Sequence, residues 1–136
     1  MCLKDALLIV FISMIFMHIV DDYYLQGCLA NMKQKSWWKP YIDKDSKYSH
    51  DYLMALFMHG YSWSFMIHIP IIITTVAYRL DNNLQFIFAS VFINGFVHSI
   101  IDHSKCNMLK INLIVDQMLH LMQIGIVLSI FITINN

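Results

Sequence analysis

Four stretches of this chain, at about 5–26, 52–78, 84–103 and 111–134, are each apolar and long enough to cross a lipid bilayer. A helical span needs about 20 residues, with a range of roughly 17–25. In hydrocarbon every backbone donor and acceptor must find its partner within the segment, so such stretches fold as helices. Short polar breaks at 79–83 (RLDNN) and 103–110 (HSKCNMLK) turn each helix back beside its neighbour, and a longer polar loop covers 27–51. The prediction is an all-α, integral membrane four-helix bundle made of a single domain. Composition agrees: 58% of residues are hydrophobic and 13% charged, against roughly 45–50% and about 25% in a soluble domain. The 136 residues leave no room for a second domain. The first span lacks a small-x-small cleavage site and reads as a retained anchor.

The ionisable residues inside the spans are not scattered. His18, Asp22 and Gln26 stand four apart in the first span; Asn94, His98 and Asp102 stand four apart in the third. Asp116 and His120 repeat the spacing in reverse order in the fourth, and His59 lies in the opening turns of the second. Four residues is about one helical turn, so each pair shares a helix face. Alternating spans put the loop after helix 1 and the loop after helix 3 on one side. His18/Asp22, His98/Asp102, Asp116/His120 and His59 all lie near those two loops, so four helices deliver them to one end of the bundle.

The same two loops hold Lys33, Lys35, Lys39, Lys44, Lys47, Lys105 and Lys110, against Lys4 and Arg79 on the other side. An excess of Lys and Arg marks cytoplasmic loops. The polar site and the long loop are therefore expected at the cytoplasmic face, with both termini outside. Pro40 breaks the loop into short pieces, and Trp37, Trp38 and Tyr41 suit the membrane interface. Lys+Arg and Asp+Glu balance at nine each, so no basic surplus argues for nucleic acid. Cys2, Cys28 and Cys106 form neither a disulfide framework nor a CxxC thiolate site.

Imidazole nitrogen and carboxylate oxygen are the usual ligands of divalent first-row metals, and i, i+4 spacing lets one helical turn offer two ligands to one ion. One such pair is better explained as polar contact between helices. Three pairs converging with His59 favour a metal centre, with one or two divalent ions (zinc, manganese or iron) per chain. The expected ligands are His18, Asp22, His59, His98, Asp102, Asp116 and His120. Asp22 or Asp116 can instead serve as general base, and Lys105 can hold an anionic substrate group. Asp21 has the poorer register. Gln26 and Gln117 can orient a ligand or a water. His50 and His103 read as solvated, and His68 as packed or bonded to a backbone carbonyl.

The motifs H-x3-D-Y-x-L-Q (His18, Asp22, Tyr23, Leu25, Gln26), H-x3-D-x2-K (His98, Asp102, Lys105) and D-Q-x2-H (Asp116, Gln117, His120) resemble the domain of unknown function 3307 family. That family comprises small multi-span proteins of bacteria and their phages. The resemblance implies a membrane protein with no settled activity, in a bacterial inner or host cell membrane. The pattern is more distantly similar to membrane-bound metal-dependent hydrolases.

These readings converge on a metal-dependent hydrolase acting on a lipid or small phosphorylated substrate at the cytoplasmic membrane face. Two alternatives stay open: a metal or proton transporter or channel, and a phage or bacterial membrane factor that acts without catalysis by binding a host envelope or defence component. The lipid bilayer is one expected partner, a small anionic or lipid substrate another, and an oligomer is compatible with the sequence.

Overall fold

The structure is a computed structural model, and it describes residues 3–80 and 83–135. Most of these residues are helical, with no strand among them. Helix α1 covers Leu3–Ile19 and continues as a π-helical turn over Val20–Leu25. Gly27 then takes a left-handed backbone, φ +51°, a conformation open to glycine without steric cost. The polar loop folds into short helical pieces: α2 (Leu29–Met32), a 3-10 turn (Lys35–Trp38), α3 (Lys39–Ile42) and a second 3-10 turn (Ser46–His50). Three long helices follow: α4 (Asp51–Ala77), α5 (Leu84–Cys106) and α6 (Leu113–Asn135).

Among the described residues, four helical segments are long and apolar enough to cross a membrane: Ala6–Leu25, Ser46–Ala77, Leu84–Cys106 and Leu113–Asn135. Their outer faces carry exposed apolar side chains such as Leu8, Ile12, Phe16, Phe88 and Ile114. In water such a surface would be a liability; against lipid chains it is the expected coat of an integral membrane protein. Inside, Met14, Trp63, Ile67, Ile71, Ile124 and Phe131 fill the apolar part of the bundle. Asn83 donates to Asn135 Oδ1 at 2.9 Å, tying the start of α5 to the end of α6.

Two details shift the sequence expectation and both matter to the site. The helix expected to stop near residue 103 runs on to Cys106. His103 and Lys105 therefore sit in its last turn, where cations suit the negative end of the helix dipole. Lys105 thus projects from a helix instead of a turn. The loop is also strapped to this helix end. Asn107 Nδ2 donates to Lys33 O at 2.9 Å, and Lys35 N–H donates to Asn107 Oδ1 at 2.7 Å. The 79–83 turn is described only in part, because Asp81 and Asn82 lie outside the described residues, as do Cys2 and the side chain of Lys4.

Candidate metal centre

The close approach of α4 and α5 sets the site. Gly60 of α4 lies so near α5 that a Cβ there would overlap Ser99 Oγ and come within 2.5 Å of Gly95 O. His59 and His98 ride beside these residues, which brings their Nε2 atoms to 3.1 Å from each other. Around this pair stand Asp22 Oδ1, 3.2 Å from His59 Nε2, and Asp102 Oδ2, 3.5 Å from His59 Nε2 and 3.8 Å from His98 Nε2. Two ligand atoms bound at 2.0–2.1 Å to one tetrahedral ion stand about 3.3–3.4 Å apart. The four protein atoms bracket that spacing. Among the described residues, Asp22, His59 and His98 form one group able to hold a metal ion, and His98, Asp102 and His120 form an overlapping one.

His59 Nε2 lies within hydrogen-bonding reach of Asp22 Oδ1 at 3.2 Å, as a donor, and of Gln26 Nε2 at 3.1 Å, as an acceptor. Gln26 Nε2 donates to Asp22 Oδ1 at 2.9 Å, and in the tautomer that accepts from Gln26, His59 presents the Nε2 lone pair to the cluster. Its other nitrogen, Nδ1, lies 3.5 Å from Asp21 Oδ2, and Ser62 Oγ donates to Asp21 Oδ1 at 2.7 Å. A carboxylate behind the imidazole is the usual support of a metal-binding histidine. Only a proton or an ion between His59 Nε2 and His98 Nε2 reconciles the two rings at 3.1 Å. Trp63 stacks on His98 with centroids 4.3 Å apart, and His98 stacks on His120 at 4.1 Å.

His18 has a different position. Trp63 Nε1–H donates to His18 Nδ1 at 2.7 Å, so His18 Nε2 carries the proton and donates to Gln117 Oε1 at 3.1 Å. Gln117 Nε2 in turn donates to Asp22 Oδ2 and to Asp116 Oδ2, at 3.0 Å each. Both ring nitrogens of His18 are thus committed to protein partners. In this arrangement it orients two carboxylates through an amide.

Charge decides how this cluster survives in a membrane. It gathers four carboxylates (Asp21, Asp22, Asp102, Asp116) and two ammonium groups. Lys33 Nζ donates to Asp102 Oδ2 at 2.5 Å, and Lys105 Nζ donates to Asp116 Oδ2 at 2.7 Å. With neutral imidazoles the balance is two negative charges. Uncompensated charge is costly at membrane depth, and one divalent cation would cancel this deficit. The residues present therefore fit such an ion in donor type, spacing and charge.

The structure brings together all the residues singled out from the sequence: His18, Asp22, His59, His98, Asp102, Lys105, Asp116 and His120. It leaves out those read as peripheral. His50 is exposed, His103 stacks on Tyr52, and His68 Nδ1 donates to Ser64 O at 2.6 Å. Three further residues join the site: Trp63, which the sequence did not mark, and Asp21 and Lys33, which it ranked below the others. Lys33 comes from the loop, where no periodicity marks it. Trp63 reads as ordinary core. Asp21 enters because the π-turn holds an extra residue, which turns both aspartates inward; π-turns of this kind recur at functional sites.

A groove of about 510 Å³ between α1 and α6, lined by Ile15, Ile19, Tyr23, Tyr24 and Leu121, has His18 and Gln117 on its wall. Through Gln117 it is one hydrogen bond from Asp22 and Asp116. The chain matches no protein-family model, no curated protein and no solved structure. The site's own geometry is therefore the ground for any functional reading. It is that of a membrane protein able to bind a metal ion.

Proposed function

We propose that this chain is a membrane-embedded, metal-dependent hydrolase whose substrate is a phosphorylated lipid or a small phosphorylated molecule at the membrane face. The observation that carries the reading is the His59–His98 pair at 3.1 Å, ringed by Asp22 and Asp102 in a cluster two positive charges short. Those four residues would hold the ion. When bound, such an ion supplies Lewis acidity, polarising a phosphoryl oxygen and acidifying water.

The remaining groups fall into supporting roles. Lys105, with its side chain about one-third exposed (32%), stands at the rim and is placed to meet a phosphate oxygen. Both oxygens of Asp22 already accept hydrogen bonds, from Gln26 and Gln117. Asp116 Oδ1 is buried without a hydrogen-bond partner, so Asp116 is the better placed of the two carboxylates to accept a proton. The α1–α6 groove gives an acyl or isoprenoid chain a lateral approach, which favours an amphiphilic substrate. The lysine-rich loops support a cytoplasmic orientation of the site. The motif resemblance supports membership of the domain of unknown function 3307 family in a bacterial or phage setting.

The test is elemental analysis of detergent-purified protein together with phosphate release from phosphatidylcholine vesicles containing phosphatidic acid. The expected result is at least one divalent ion per chain and metal-dependent release, both lost in His98→Ala. Protein that binds no metal, or release that survives His98→Ala, would sink the proposal.

A further inference from the structure

We propose a second divalent-cation position beside the first, formed by His120 Nε2, Asp116 Oδ1 and Asp102 Oδ1, and filled together with a phosphate dianion. The inference rests on the metal-dependent reading and names what the same site binds.

His120 Nε2 lies 3.5 Å from Asp102 Oδ1 and 3.5 Å from Asp116 Oδ1. His120 and Asp116 are fully buried (0% exposed), and neither His120 Nε2 nor Asp116 Oδ1 has a hydrogen-bond partner. The proton of His120 belongs on its other nitrogen. Gln123 Nε2 donates to Asn94 O and to Asn94 Oδ1, at 3.2 Å each. That turns Gln123 Oε1 toward His120 Nδ1, 3.5 Å away, as the acceptor. His120 Nε2 then directs a lone pair at two carboxylate oxygens, and three acceptors face one another with no donor among them. A positive charge between them resolves that arrangement, either a proton on His120 Nε2 or a metal ion, and the 3.5 Å from His120 Nε2 to each carboxylate oxygen is close to the ligand spacing around a single tetrahedral ion, about 3.3–3.4 Å.

Asp102 divides its oxygens between the two positions. Oδ2 faces His59 and His98, and Oδ1 faces His120. A carboxylate so placed would offer one oxygen to each of two ions, and paired ions supply charge stabilisation to a phosphoryl group. Asp116 would then act as a ligand, and the second ion would take over the work assigned above to a general base.

Charge sets the order of filling. One divalent ion makes the cluster neutral. A second adds two positive charges in a place where net charge is costly, so it needs an anion of matching charge. A phosphate dianion supplies it, and Lys105 at the rim adds an ammonium donor for the same group. Occupancy of the second position is thereby coupled to phosphate.

The experiment uses the full chain in detergent, stripped with chelator and dialysed against Mn2+ with and without inorganic phosphate. Bound manganese is counted by elemental analysis and its coupling read by electron paramagnetic resonance. The expected result is one ion per chain without phosphate and two with it, with the isolated-ion spectrum giving way to an exchange-coupled one. His120→Ala should hold one ion under both conditions, and that retained ion reports that the variant is folded. One ion in the wild type under both conditions would overturn the second position and assign His120 Nε2 a proton. Two ions without phosphate would overturn the coupling to charge. No ion under either condition would overturn the metal-dependent reading itself.

Discussion

Gly60→Ala tests the link between helix packing and the metal centre. The new Cβ would stand 2.5 Å from Gly95 O, where ordinary contact begins at 3.4 Å, and would overlap Ser99 Oγ. Ser99 Oγ cannot turn aside freely, because it donates to Gly95 O at 2.8 Å and faces Leu56 O at 3.1 Å. The backbone carbonyl cannot yield either, so α4 and α5 must part by about 0.9 Å. Overpacking of this kind costs about 1–3 kcal/mol. Most of the displacement passes to His59 and His98, whose 3.1 Å separation would grow toward roughly 4 Å, well outside the tolerance of about 0.2 Å that a metal site allows. The expected loss in Zn2+ affinity is about 10–100-fold, comparable with removal of a supporting residue. Competition with a chromophoric chelator measures it, and thermal denaturation in detergent measures the packing cost. Gly95→Ala should be milder, since its Cβ meets the Tyr61 ring at 2.7 Å, and a ring can turn. Gly125→Ala meets nothing within 4 Å and should leave affinity unchanged while adding about 0.5–1 kcal/mol of helix stability. Affinity in Gly60→Ala within about two-fold of the wild type would refute the coupling of packing to ligand spacing.

Two further perturbations probe the charges. Lys33→Met leaves Asp102 without its ammonium, so the metal-free protein should lose about 3–5 kcal/mol. The same change frees Asp102 Oδ2 and makes the cluster more negative, so metal affinity should rise. Denaturation of stripped and loaded protein checks both, and unchanged stability of the stripped form would count against the buried pair. Chelation of the wild type should lower its stability by about 2.7 kcal/mol relative to protein held at a hundred times its Kd for the ion. A midpoint indifferent to metal would show that no ion is part of the folded bundle.

The sequence exposed the architecture because hydropathy and chain direction act at long range in a membrane. Four apolar stretches must alternate, and that alone carries Asp22, His59, His98 and Asp116 to one end. The i, i+4 spacing places His98 with Asp102 and Asp116 with His120, and both pairs face the cluster at 3.8 and 3.5 Å. What remained hidden depends on local geometry that spacing does not encode. His18 has the same spacing to Asp22, yet their closest approach is 3.9 Å and the Trp63 indole takes the nitrogen that faces the carboxylate. Asp21 enters through a change of helix register. Lys33 arrives because Asn107 holds its carbonyl at 2.9 Å, fixing the loop over the site. Two of these are hydrogen bonds between distant parts of the chain and the third is a local change of helix winding, and no periodicity announces any of them.

Polar groups also continue inward from the cluster, and their direction bears on the proposed function. From His120 the chain passes through Gln123 to Asn94, whose Nδ2 donates to Ser90 Oγ at 3.2 Å. Ser90 Oγ–H then donates to His68 Nε2 at 2.8 Å, and His68 Nδ1–H donates to Ser64 O at 2.6 Å. The last acceptor is the backbone carbonyl of a helix, which has no proton to hand on. Two of the links are amides, which hold orientation well and relay protons poorly. Every donor in the chain is matched to an acceptor, as buried polar groups require. The arrangement therefore works as a brace: it locks Gln123, Gln123 fixes the tautomer of His120, and His120 is left with a lone pair aimed at Asp102 and Asp116. The helices beyond His68 pack around Ile71 and Phe131. The buried polar groups are concentrated where His59, His98, Asp102 and His120 converge, in keeping with the proposed hydrolase.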